Sequence, residues 1–126
     1  MKKILNLTGK MAVLTLMLSL TGCYYDEVIE IAPLPPGTEV SFADDIQPIF
    51  TQNCKACHGG SISPDLREGN SYDAIVNGEF IVPNDIDASV LYQRLIGNGN
   101  IMPPGNPLAT TDINLVKSWI EDGAPE

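Results

Sequence analysis

Residues 54–58 read Cys54-Lys55-Ala56-Cys57-His58, and the stretch before them sets how that motif is presented. Ile46, Ile49, Phe50 and Cys54 fall at i, i+3, i+4 and i+8, which is one face of a helix. Asp44-Asp45 reads as its cap, and Pro48 is tolerated in the first turn. Two thiols three residues apart therefore close an amphipathic helix, with an imidazole directly after the second.

C-x-x-C-H is the attachment signature of c-type haem. Two thiols at this spacing can add to the two vinyl groups along one porphyrin edge. The next residue then lies under the iron and supplies its imidazole. Three rivals are weaker. A redox C-x-x-C of the thioredoxin type would open a helix after a buried strand, and no strand pattern precedes this one. A zinc site needs four ligands, whereas the folded region offers two cysteines, one histidine and no second C-x-x-C. A plain disulfide, feasible in an exported chain, leaves His58 unexplained.

His58 is the only histidine in the chain, so two histidines from one chain cannot share an iron. The methionines are Met1, Met11, Met17 and Met102, and the first three lie in a segment read below as removed. Met102 sits in Ile101-Met102-Pro103-Pro104-Gly105, where two prolines stiffen a turn. A lone methionine is more often core filler. Its loop position points instead to an axial ligand, since His/Met is a standard haem pair. With both axial positions filled, the iron exchanges electrons and has no vacancy for bond chemistry. No nucleophile–base pair or paired carboxylates stand out, so no catalytic residue is expected and the chain reads as a carrier, not an enzyme.

Further along, three more helical stretches are expected, which makes the fold all-α. One runs from Ser71, its cap, to Asn77, with Gly78 as stop. The next follows Asp87, carries Leu91, Tyr92, Leu95 and Ile96, and ends at Gly97-Asn98-Gly99. The last is capped by Thr111, has Asp112 in its first turn, and bears the stripe Leu115, Val116, Trp119, Ile120 before Gly123 and Pro125. Apolar residues are sparse for a domain over residues 41–126, which predicts that a further group fills its centre.

The chain has 126 residues, enough for one domain, with 44% hydrophobic and 18% charged residues, a globular composition. Met1–Lys10 is cationic and Met11–Leu20 almost wholly apolar, too short to span a bilayer. This order matches a secretory signal peptide. Residues 24–40 read as a tether: Pro33, Pro35, Pro36 and Gly37 break regular structure, and Asp26, Glu27, Glu30 and Glu39 keep it solvated. Net charge is −9; loss of residues 1–22 leaves four bases against sixteen acids, a net −12. Such a polyanion is repelled by phosphate backbones, which excludes nucleic-acid binding and suits a basic redox partner.

Leu20-Thr21-Gly22-Cys23 resembles the bacterial lipobox. The resemblance implies that Cys23 is acylated and becomes the first residue, a membrane anchor of two or more chains. Tyr24 is not the aspartate tied to inner-membrane retention, so the outer membrane, with the domain facing the periplasm, is the expected location. From Ser41 to Pro125 the chain resembles a class I monohaem cytochrome c domain. The motif with Gly59, Met102-Pro103-Pro104, and Trp119-Ile120-Glu121-Asp122-Gly123-Ala124 carry the likeness. It implies a small fold of about four short helices around one covalent haem. It also implies that Pro64, in Ser63-Pro64-Asp65-Leu66, accepts a hydrogen bond from His58, although Ser63 replaces the family's usual glycine. The first and last helices would cross, setting Phe50 against the Trp119 stripe. Two other classes remain at this point. One is a sensor or peroxidase-like domain, or a haem-bearing subunit, of a larger respiratory complex. The other is a haem-free lipoprotein with a Cys54–Cys57 disulfide.

Overall fold

The architecture was taken from a computed structural model that describes residues 34, 35 and 37–126. The expected signal peptide, Cys23 and most of the expected tether lie outside the described residues. The domain is all-α. A π-helical segment, Phe42–Ile46, runs into α1, Gln47–Asn53. Three helices follow: α2, Ser71–Val76; α3, Val90–Leu95; and α4, Thr110–Glu121. No strand occurs among the described residues, only an isolated antiparallel bridge between Val82 and Asp85. No helix among them is long and apolar enough to cross a membrane.

The first helical run starts earlier than Asp44-Asp45 suggests. Ser41 is its cap: its Oγ accepts from the Asp44 N–H at 3.3 Å, and its own N–H donates to the Asp45 carboxylate at 2.9 Å. Two orphan backbone donors are thus satisfied reciprocally, and the two aspartates become first-turn acids near the positive helix end. Two other expected caps also move. Asn70 precedes α2, because Ser71 is buried inside the helix and turns its hydroxyl to Gln47. Ala109 precedes α4 with no side-chain cap bond, and Thr111 is exposed in the first turn.

The core gathers where the π-helical segment and α1 meet α4. Trp119, Ile46, Ile75, Val116 and Ile120 are fully buried, and Phe50 nearly so. Phe42 stands between the ends of the chain: its ring centroid lies 5.3 Å from Trp119, 6.2 Å from Phe50 and 5.1 Å from Tyr72. Phe50 and Trp119 share the core, but Phe42 is the ring between them. These rings come from the chain's own helices and pack directly on one another. Val40 is also buried and Leu34 packs on the core, so the packed region begins before Ser41.

The tail is pinned back on this core. Ala124, left-handed at φ +52° and buried, donates its N–H to Trp119 O at 2.8 Å and accepts from the Tyr72 hydroxyl at 3.0 Å. The Trp119 indole N–H donates to Pro125 O at 2.7 Å, giving a fully buried polar atom its partner.

Candidate cofactor site

The last turn of α1 continues into the motif through carbonyls the helix leaves open. Cys54 N–H and Lys55 N–H both donate to Phe50 O, at 3.0 and 2.8 Å. A second turn follows, in which Cys57 N–H and His58 N–H donate to Cys54 O at 3.1 and 2.9 Å. This carries the chain from the core outward: Cys54 is half-buried against the core, Cys57 is exposed, and His58 is half-buried. Gly59 fits because a Cβ there would lie 2.9 Å from the Lys55 carbonyl.

Both thiols are free. Burial, with a smaller contribution from Cys57, pushes the Cys54 thiol up to about 11. Cys54 therefore stays a neutral thiol at ordinary pH, shielded by the α1 face that carries it.

The His58 ring is set by the loop that follows. Its Nδ1 lies 3.2 Å from Pro64 O. A carbonyl only accepts, so Nδ1 carries a proton in this contact, and in a metal-bound ring Nε2 would be the ligating nitrogen. The loop closes where Leu66 N–H donates to His58 O at 2.8 Å and Leu66 buries its side chain. Outside it, Arg67 forks onto Asp65, with Nε to Oδ1 at 2.9 Å and Nη2 to Oδ2 at 2.6 Å. The Arg67 hydrogen bonds hold the Asp65 carboxyl at about 2, well below its ordinary value. The guanidinium then covers Gly60, where a Cβ would meet it at 2.9 Å; Gly60 also has φ +98°.

Met102 is placed by a different element. Its N–H donates to Arg94 O in α3 at 3.0 Å, so the end of α3 anchors the 101–105 turn, and the residue is half-buried. His58 and Met102 are thus built on separate loops, one tied to α1 and Pro64, the other to α3. Ile96, expected to lie on the α3 stripe, falls just past its end and is 43% exposed; Ile62, on the His58 loop, is 56% exposed. Lys55, Arg67 and Arg94, three of the four bases after residue 22, lie on the motif, beside the His58 loop and at the Met102 anchor.

Sequence periodicity carried a signal that the motif reading passed over. Gln47 lies three residues before Phe50 and seven before Cys54, on the inward face of α1. It is buried, accepts from the Ser71 hydroxyl through Oε1, and donates through Nε2 to Thr51 Oγ1 at 3.1 Å and Leu66 O at 3.4 Å.

The donor set fits a covalently attached haem. Two free thiols stand at a helix end, an imidazole presents Nε2, and apolar side chains are exposed on or beside the two loops that carry His58 and Met102. No group of three or more His, Cys, Asp or Glu side chains is assembled among the described residues. A groove elsewhere, lined by Leu34, Val40, Asp44, Glu121, Asp122 and Pro125, contains none of these site residues. No protein-family model matches the chain, and no curated protein or solved structure matches it.

Proposed function

We propose that the chain is a c-type cytochrome lipoprotein, a one-electron carrier with a small cytochrome c-like fold of four short helices around one covalent haem. The observation that carries this reading is the His58 Nδ1–Pro64 O contact at 3.2 Å, directly after the C-x-x-C turn. It fixes the ring and directs the other nitrogen away for ligation.

Haem, when bound, supplies reversible one-electron chemistry at its iron. Cys54 and Cys57 would hold it by thioether bonds, one from the core edge and one from the surface. His58 Nε2 and the Met102 sulfur would ligate its iron, and a thioether sulfur would favour the reduced metal. Pro64 keeps the imidazole oriented. No residue takes a catalytic part.

The lipobox-like segment supports an anchor at Cys23 in the cell envelope, on the outer membrane facing the periplasm, with residues 24–40 as the tether. The −12 charge supports a basic donor or acceptor protein, and speaks against nucleic acid.

The test is a pyridine haemochrome spectrum of the full chain, made in a host with cytochrome c maturation and extracted with acid acetone. Haem that stays on the polypeptide with a c-type spectrum is the expected result. Haem that extracts, or is absent, overturns the reading.

A further inference from the structure

We propose that Gln47 is a positioning residue for the His58 imidazole: its buried carboxamide fixes the end of the loop that presents the Pro64 carbonyl. The inference rests on the haem reading above and extends it to a residue outside the C-x-x-C-H motif.

A helix face that otherwise buries Ile46, Ile49 and Phe50 has no packing reason for an amide at position 47. An amide taken from water there must find partners for both its ends. Gln47 finds them in two other parts of the fold. Ser71, fully buried at the head of α2, donates to Oε1. Nε2 faces Leu66 O, and this direction is enforced, since a carbonyl cannot donate.

Three contacts then run in series. Gln47 Nε2 holds Leu66 O at 3.4 Å, Leu66 N–H holds His58 O at 2.8 Å, and Pro64 O, two residues before Leu66, meets His58 Nδ1 at 3.2 Å. Leu66 is therefore gripped on both faces of its peptide linkage, towards α1 and towards the motif. The hydrogen bond to Nδ1 makes the imidazole a stronger donor, which favours the oxidised iron. Loosening Leu66 lets Pro64 drift, weakens that donation, and raises the reduction potential. Gln47 acts through the main chain and touches neither His58 nor the cofactor.

The experiment compares the haem-loaded full chain with Gln47→Met, which keeps length and burial but loses the amide. Ser71→Ala, which removes only the bond orienting Oε1, is the second variant. Ile75→Val trims the same core without touching the loop and serves as control. Gln47→Met is expected to speed hydrogen exchange at the Leu66 N–H by about tenfold, the loss of one buried hydrogen bond, and to shift the midpoint potential upward. Ser71→Ala should shift both in the same direction by less, and Ile75→Val should leave the potential where it was. An unshifted potential in Gln47→Met, or Leu66 exchange no faster than in Ile75→Val, overturns the proposal. If the wild-type chain carries no covalent haem, the haem reading falls on its own. Leu66 exchange in Gln47→Met then decides whether the clamp on the loop exists.

Discussion

The two halves of this domain are finished to different degrees. Around Phe42, Phe50 and Trp119, side chains from the first helical run and the last described helix interlock and are buried. Around residues 58–66 and 96–105 the chain runs in loops, with Ile62 and Ile96 open to solvent and Met102 half-covered. The closed half explains how so short a chain folds. The open half holds His58 and Met102, two of the side chains proposed to meet the cofactor, while Cys54 and Cys57 lie where α1 runs into it. A fold divided in this way separates stability from function: one half supplies rigid anchor points, and the other ties its residues to them by a few hydrogen bonds, three at His58 and a backbone bond to Arg94 O at Met102.

Trp119→Ala strikes the closed half hardest. Losing a fully buried indole and its bond to Pro125 should cost about 3–5 kcal/mol, a large share of a small domain's stability. Urea unfolding followed by far-UV circular dichroism measures it; a loss below about 1 kcal/mol would mean the two halves are not distinct.

Cys54 sits on the border between them. In chain made without haem attachment, its thiol value of about 11, against the ordinary 9.0, predicts alkylation about a hundredfold slower than in the unfolded chain at pH 8. The unfolded chain gives up this proton first as pH rises. Stability should therefore decline between about pH 9 and 11, where only the unfolded thiol ionises. Mass spectrometry of timed iodoacetamide labelling reads the first effect, and denaturant midpoints across that window read the second.

Ser41→Ala removes the cap that opens the closed half. The expected loss is about 1 kcal/mol, seen as a lower urea midpoint with an unchanged slope. The smallest effect belongs to the open half. Ile62→Ser in the haem-free chain should change stability by no more than about 0.5 kcal/mol, since that side chain is already in water. A large loss there would show that the His58 loop is packed more tightly than its exposure indicates.

Much of this division is written in the sequence, but unevenly. The stripe on α4 is legible because Val116, Trp119 and Ile120 follow the helical period and all three are buried. The motif is legible because its chemistry needs fixed residue types at fixed spacing. Pro64 was legible only through the resemblance of Ser63-Pro64-Asp65-Leu66 to a family loop, and its carbonyl lies 3.2 Å from His58 Nδ1. Capping was harder to read. Serine serves equally as a cap or as a donor across the core, so Ser71 looked like the start of α2 while its hydroxyl belongs to Gln47. Phe42 was passed over because it lies in a wider turn than the 3.6-residue period tests for.

The groove bordered by Leu34, Val40 and Pro125 has an architectural consequence. Leu34 and Pro125, near the two limits of the described residues, line the same groove. A unit with neighbouring ends can be spliced into a longer polypeptide, repeated in tandem, or joined end to end and reopened at an exposed loop such as 97–100, with its interior untouched. The packing of Leu34 and Val40 on the core thus also makes the domain portable, a cassette joined at a groove outside its working loops.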